Sequence, residues 1–259
     1  MTLVVPQARA LLLREARALW VAVLFFTRLP LPSLLVLTPE DQRRATAYWP
    51  LIGVVVGAVI AGVWALAASR LPPGVAVGLA LAAGLLLTGA LHEDGFADVC
   101  DGFGGGATRA RVLEIMRDSS IGAFGAIGIV LLLGLKWQAM AALPPALLPA
   151  AIIAAHAFSR GAAVAMMVAL PYARTDASRA RPMVGPPGAR LFGVALTALI
   201  PLLLLSPSGQ LAGMAAVACV WAVCFLWFRH RLGGYTGDCL GAVQQLGETG
   251  LLLAVLANA

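Results

Sequence analysis

The chain has 259 residues, 61% hydrophobic and 12% charged, with a net charge of +6 and a mean hydropathy of +0.91. A soluble domain is about half apolar and about a quarter charged, so this balance excludes an ordinary soluble enzyme and indicates a polytopic membrane protein. The positive charge reads as arginine in cytoplasmic loops rather than as a nucleic-acid surface, and no nucleic-acid partner is expected.

Residues 1–29 hold an apolar stretch broken by Arg9, Arg14, Glu15 and Arg17. It is too charged for a clean span and lacks the small-residue cleavage site of a signal peptide. It reads as an amphipathic helix lying on the membrane lipid at the cytoplasmic surface, ended by Pro30 and Pro32. A polar connector over 33–49 follows. The sequence then predicts seven spans: 50–69, 74–92, 121–142, 147–170, 190–205, 211–228 and 238–256. The second runs straight into a group of aspartates. The fourth contains His156, Ser159 and Arg160, and the last is polar in its first half.

The connections alternate. Residues 30–49, 93–120, 171–190 and 229–237 are long and carry most of the arginines, whereas 70–73, 143–146 and 206–209 are short with Arg70 as their only charge. The positive-inside rule places the long loops in the cytoplasm and the C-terminus outside. The four cysteines form no metal-ligand pair and read as reduced thiols. No repeat or linker divides the chain. The prediction is a single all-α membrane domain over 1–259, about seven transmembrane helices plus the N-terminal amphipathic helix, with an acidic site at the cytoplasmic face.

That site is the stretch from Leu91 to Gly102. Asp94, Asp98 and Asp101 recur at i, i+4 and i+7, within about 60° of one another on a helix. A glycine-rich turn is expected next (Gly102, Gly104, Gly105, Gly106), then Glu114 and Asp118 on one helix face. Asp238 opens the last span, with Gln244, Gln245 and Glu248 deeper in it. Oxygen-only ligands suit a hard cation such as Mg2+ or Mn2+. Glycines let backbone N–H groups approach phosphates. Acids, a divalent metal and phosphate together indicate phosphoryl-type transfer. Blander readings stand beside this one. Acids at a helix end are often solvated, Glu114 can simply pair with Arg111 or Arg117, and the Gln244/Gln245/Glu248 set can be interhelical hydrogen-bonding glue. Arg160, deep in an apolar span, demands an anionic partner.

The run from Thr88 to Gly102, joined to Leu113–Gly125, resembles the signature region of the cobalamin synthases, the adenosylcobinamide-GDP ribazoletransferase family. Phe25–Pro30, Tyr48–Gly53 and Gly234–Ala242 match in the same order. The resemblance implies an enzyme of the bacterial inner membrane, its active site facing the cytoplasm. It joins α-ribazole or α-ribazole 5′-phosphate to adenosylcobinamide-GDP and releases GMP, with Mg2+ required. Carried over by position, Asp94, Asp98, Asp101 and Asp118 would be metal ligands and Asp238 a ligand or base. Asp98, Asp101 and Asp238 would be the catalytic acids. Arg117 and Arg160, with Gly102 and Gly105, would hold phosphates. The family usually has lysine where Arg117 stands and an apolar residue where Glu93 stands. The aspartate pattern is also similar to that of the CDP-alcohol phosphotransferases, which leaves transfer to a lipid or other alcohol as the alternative. A transporter is disfavoured because the acids cluster at one face and no repeat is present. The sequence leaves open a homo-oligomer and the surface that receives the corrinoid, for which loops 30–49 and 171–190 are the candidates.

Overall fold

A computed structural model describes residues 4–30, 38–174 and 188–259. Eleven α-helices account for almost all of them. In order they are α1 (Val4–Phe26), α2 (Pro39–Ala45), α3 (Trp49–Ala68), α4 (Pro73–Thr88), α5 (Leu91–Gly105), α6 (Arg109–Ile115), α7 (Ala123–Ala142), α8 (Leu148–Ala169), α9 (Leu191–Leu199), α10 (Pro207–Leu232) and α11 (Gly237–Leu256). Short 3-10 segments at 46–48, 188–190 and 200–204 complete them. Proline opens several helices, where its missing N–H costs nothing. Thr38, Thr108, Ser206 and Thr236 cap α2, α6, α10 and α11 through their hydroxyls.

The bundle is held by small residues at its crossings. On α3, Gly53 and Gly57 form a small-xxx-small step against α8. A Cβ on Gly53 would stand 2.3 Å from the His156 carbonyl oxygen, so only glycine admits that approach. Leu66, Leu86, Val130 and Leu203 lie exposed on the outside, as expected where lipid is the solvent.

All-α architecture and membrane character agree with the sequence. The spans differ in number. By length and composition, five helices among the described residues can cross a bilayer: the 39–68 run, α7, α8, α10 and α11. Counting α4 and α5 as one broken span makes six. The second predicted span does not run on into the aspartates. It stops at Thr88, and α5 leaves at 89° to α4. The break is built by consecutive left-handed residues, Gly89 (φ 65°) and Ala90 (φ 54°). The Arg28 side chain packs where a Gly89 Cβ would stand, and the Arg28 amide donates to the Leu87 carbonyl at 2.7 Å.

The fifth predicted span is short. Pro201 lies where the α-helix gives way to 3-10 turns, so Leu191–Leu204 covers roughly 24 Å against about 30 Å of hydrocarbon. Paired backbone bonds at 2.8 and 2.9 Å join Tyr235 to Ala173 and Pro171. They fasten the end of α8 to the end of α10, so this short segment carries the chain back to the far end of the bundle. The predicted turn at 102–106 is also different. Gly102, Gly104 and Gly105 continue α5, and the helix ends at Gly106. Within the polar connector, α2 opens on a Thr38–Asp41 capping box. Residues 31–37 and 175–187 lie outside the described residues, so the suggestion that those loops cover the corrinoid falls largely there.

Candidate active site

One end of the bundle encloses a cavity of about 530 Å³ between α1, α3, α5, α8 and α11. The close crossing of α5 and α11 shapes it. Cβ atoms on Gly95 and Gly241 would meet the Asp238 Cα at 2.9 Å and the His92 carbonyl oxygen at 3.0 Å. That approach sets Asp94 of α5 and Asp238 of α11 into the cavity lining, with Arg174 beside them. Arg174 Nη2 donates to Asp238 Oδ2 at 2.9 Å and to the Met116 carbonyl at 3.3 Å, which places it next to Arg117. Asp98, one turn on from Asp94, is half-buried and lies within range of the charges of Asp238, Asp94 and Arg174. The mouth therefore carries Asp94, Asp238 and Arg174, with Asp98 close to all three.

The wall is apolar and aromatic. Phe25 and Phe26 from the end of α1 and Trp49 from the start of α3 meet there with Tyr172 and Tyr235. The Trp49 indole N–H is buried without a partner. Burial pushes the Tyr235 hydroxyl up to about 12, so it stays protonated.

The floor is charged. Arg160, buried, lines the cavity and lies over the Phe26 ring at 5.7 Å. Behind it a polar network fills the apolar bundle. Glu248 accepts from Lys136 Nζ at 2.6 Å and from Arg160 Nη1 at 3.3 Å, and His156 Nδ1 stands 2.7 Å from it. Gln244 also donates to Glu248, and Gln245 donates to Glu93 at 2.8 Å. Two cations face two carboxylates, so the cluster is neutral when His156 is neutral. Charge balance of this kind makes buried ions tolerable. Arg160 thus has its expected anionic partner in Glu248, and its Nε stays without one.

The remaining predicted residues do not line the cavity, although Asp101 is still within range of the Asp98 charge. Asp101 is buried, and its two oxygens accept from the amides of Gly122 and Gly125 at 2.8 Å each, capping α7. Asp118 is exposed, and its carboxylate accepts from the Ser120 amide at 2.9 Å. That bond holds it below the usual carboxylate range. Glu114 forms an exposed pair with Arg111. Gly102 and Gly105 give α6 room, a Gly102 Cβ reaching within 2.5 Å of the Met116 side chain. Among the described residues, no group of three or more His, Cys, Asp or Glu side chains is arranged to hold a metal. Arg174, Trp49, Phe25, Phe26, Tyr172 and Tyr235 do not emerge as site residues from the sequence. The available signal is that Phe25, Phe26, Trp49 and Tyr235 fall in the three shorter stretches that match the family, while Arg174 and Tyr172 fall outside them.

The sequence model of the cobalamin-5-phosphate synthase family matches residues 18–256. An adenosylcobinamide-GDP ribazoletransferase of Ralstonia nicotianae is 47% identical over 253 residues, covering 95% of this chain and 97% of the relative. Proteins of the same name from Leptothrix cholodnii and Shewanella frigidimarina are 45% and 39% identical, with similar coverage. No solved structure matches the chain.

Proposed function

The chain belongs to the cobalamin-5-phosphate synthase family, and on that premise we propose that its cavity joins α-ribazole, or its 5′-phosphate, to adenosylcobinamide-GDP. The ribose 3′-oxygen attacks the phosphorus attached to the corrinoid side chain. The pyrophosphate P–O bond breaks and GMP leaves with that oxygen. The observation that carries the reading is the mouth, where Asp94, Asp98 and Asp238 stand with Arg174 against an enclosed apolar cavity.

Each group has work there. Arg174 and Arg117 bind the diphosphate, Arg174 through a planar fork that carboxylate and phosphate oxygens both match. Asp238 is already hydrogen-bonded to Arg174. When Arg174 turns to phosphate, Asp238 is left to take the hydroxyl proton. Arg160 offers positive charge at the floor, where a 5′-phosphate on the acceptor would lie. The apolar wall excludes water, so that transfer prevails over hydrolysis.

The donor set fits Mg2+, since every acid at the mouth offers oxygen and no cysteine or methionine lines the cavity. Mg2+ on a nucleotide needs only one or two protein carboxylates and takes its other oxygens from phosphates and water. Asp94 and Asp98 are the residues that would hold it. When bound, the ion supplies charge stabilisation for the transferring phosphoryl group. Asp101 is occupied as a cap and Asp118 faces Ser120, so neither is needed for that set. The arginine-rich end faces the cytoplasm of the bacterial inner membrane, on the positive-inside rule.

The test uses the purified full chain in detergent with adenosylcobinamide-GDP, α-ribazole and Mg2+. Formation of GMP and a cobalamin in equal amounts, abolished by chelation, is expected. α-Ribazole and its 5′-phosphate are compared at equal concentrations. Transfer to a lipid from CDP-diacylglycerol, with none to α-ribazole, would overturn the reading.

A further inference from the structure

We propose that the aromatic end of the cavity is the subsite for the base of the incoming nucleoside, with Phe25 and Trp49 as its stacking surface, and that the corrin ring stays outside. This rests on the ribazole transfer proposed above and assigns its two substrates to different places.

Size is the first argument. A cavity of about 530 Å³ holds a ligand of ordinary small-molecule dimensions. A nucleoside with its phosphate is of that size, whereas a corrin macrocycle with its amide side chains is larger. Only the phosphate end of the activated corrinoid can reach the mouth.

Chemistry is the second. Two nucleosides compete for the enclosed part, the acceptor and the guanosine of the donor. Guanine carries donors and acceptors along its edge, each of which must be satisfied when buried. Phe25, Phe26, Leu24 and Val21 line the cavity with Trp49 and offer none, while Gln42, His92 and Gln244 are polar members of the same lining. A benzimidazole with a ribosyl group on one nitrogen has a single acceptor, the other ring nitrogen. The Trp49 indole N–H is a buried donor without a partner, and Trp49 lines the cavity. A mainly apolar wall suits a base with one acceptor better than one with a polar edge.

Geometry is the third. Phe25 and Trp49 lie nearly parallel, 10° apart with centroids at 6.2 Å, and Phe26 stands edge-on to both. This is a ready stacking surface for a flat ring. Ordering the base there sends its ribose towards Asp94 and Asp238, the polar part of the same lining.

The experiment measures KM for each substrate separately, and equilibrium binding of α-ribazole, guanosine and GDP to the full chain without turnover. Three variants are compared: Trp49→Phe, which keeps the ring and removes the donor, Trp49→Ala and Phe25→Leu. The expected result is a KM for α-ribazole raised on the order of tenfold in Trp49→Ala and less in Trp49→Phe, with the KM for adenosylcobinamide-GDP within twofold of the parent. The parent binds α-ribazole and not guanosine. A rise confined to the corrinoid substrate, or guanosine binding lost in the variants, would put the guanine in this subsite and overturn the proposal. So would unchanged constants in all three. If Trp49→Ala does not fold, Trp49→Phe and Phe25→Leu decide. A parent that binds α-ribazole through Trp49 but transfers nothing would refute the proposed function and leave this assignment intact.

Discussion

Two aspartates three residues apart do different jobs. Asp98 is half-buried at an acidic mouth, and Asp101 has both oxygens on the first amides of α7. Asp98→Asn is expected to lower turnover about 100-fold or more while leaving thermal unfolding in detergent unchanged. Asp101→Asn replaces one accepting oxygen with an NH2 that faces an N–H donor. It is expected to cost about 1–2 kcal/mol of stability, seen as a lower unfolding temperature. Equal unfolding temperatures for the two variants would refute this division. The sequence shows that Asp94, Asp98 and Asp101 share a helix face, because periodicity is local. It does not show which acid a distant amide already occupies. Asp101 and Gly122 are 21 residues apart, and no spacing rule links them. Arg174 escaped notice for the same reason. Its partner Asp238 is 64 residues away, and in the sequence it is one arginine among several in a loop.

Among the helices, glycine is what the sequence misleads about most. A glycine that cradles phosphate and a glycine that admits a neighbouring helix look alike in one dimension. Gly102 and Gly105 belong to the second kind, as do Gly53, Gly95 and Gly241. Gly53→Ala drives a methyl against the His156 carbonyl, and backbone cannot give way as a side chain can. Overpacking of this kind costs typically about 1–3 kcal/mol. Thermal unfolding of the purified variant should show that loss, whereas Gly62→Ala on the same helix, with nothing within 4 Å, should be neutral or slightly stabilising. A Gly53→Ala protein as stable as its parent would mean that α3 and α8 do not pack so closely. Helix existence was legible from apolar length alone. The 89° break at Gly89–Ala90 was not, since only the glycine is a breaker and an alanine at positive φ is unexpected.

For the whole molecule, the ends of α8 and α10, the starts of α3 and α11, and the aspartate helix all gather at the end that carries the cavity. The described arginine-rich connections are at that same end, so the positive-inside rule makes a cytoplasmic site the expectation to test. Single cysteines at Arg70 and at Thr108, in chains whose four native cysteines are replaced, are expected to react with an impermeant thiol reagent from opposite sides. The Thr108 position should label only from the cytoplasm. Labelling of both positions from one side would refute the topology. The span count was harder to read because α9 and its 3-10 extension are apolar like a span but too short for one.

The ion cluster around Glu248 also bears on how the chain is made. Lys136, His156 and Arg160 lie in α7 and α8, which leave the ribosome long before α11 does. Until Glu248 arrives, two fixed positive charges have lost their main counter-ion, and an apolar bundle cannot close over them without a large penalty. The earlier helices must therefore wait, loosely associated, for the last one. The final 23 residues from Gly237 complete the acidic mouth and neutralise the interior in one event. A chain that ends before α11 leaves Lys136 and Arg160 without Glu248, and its bundle cannot consolidate around them.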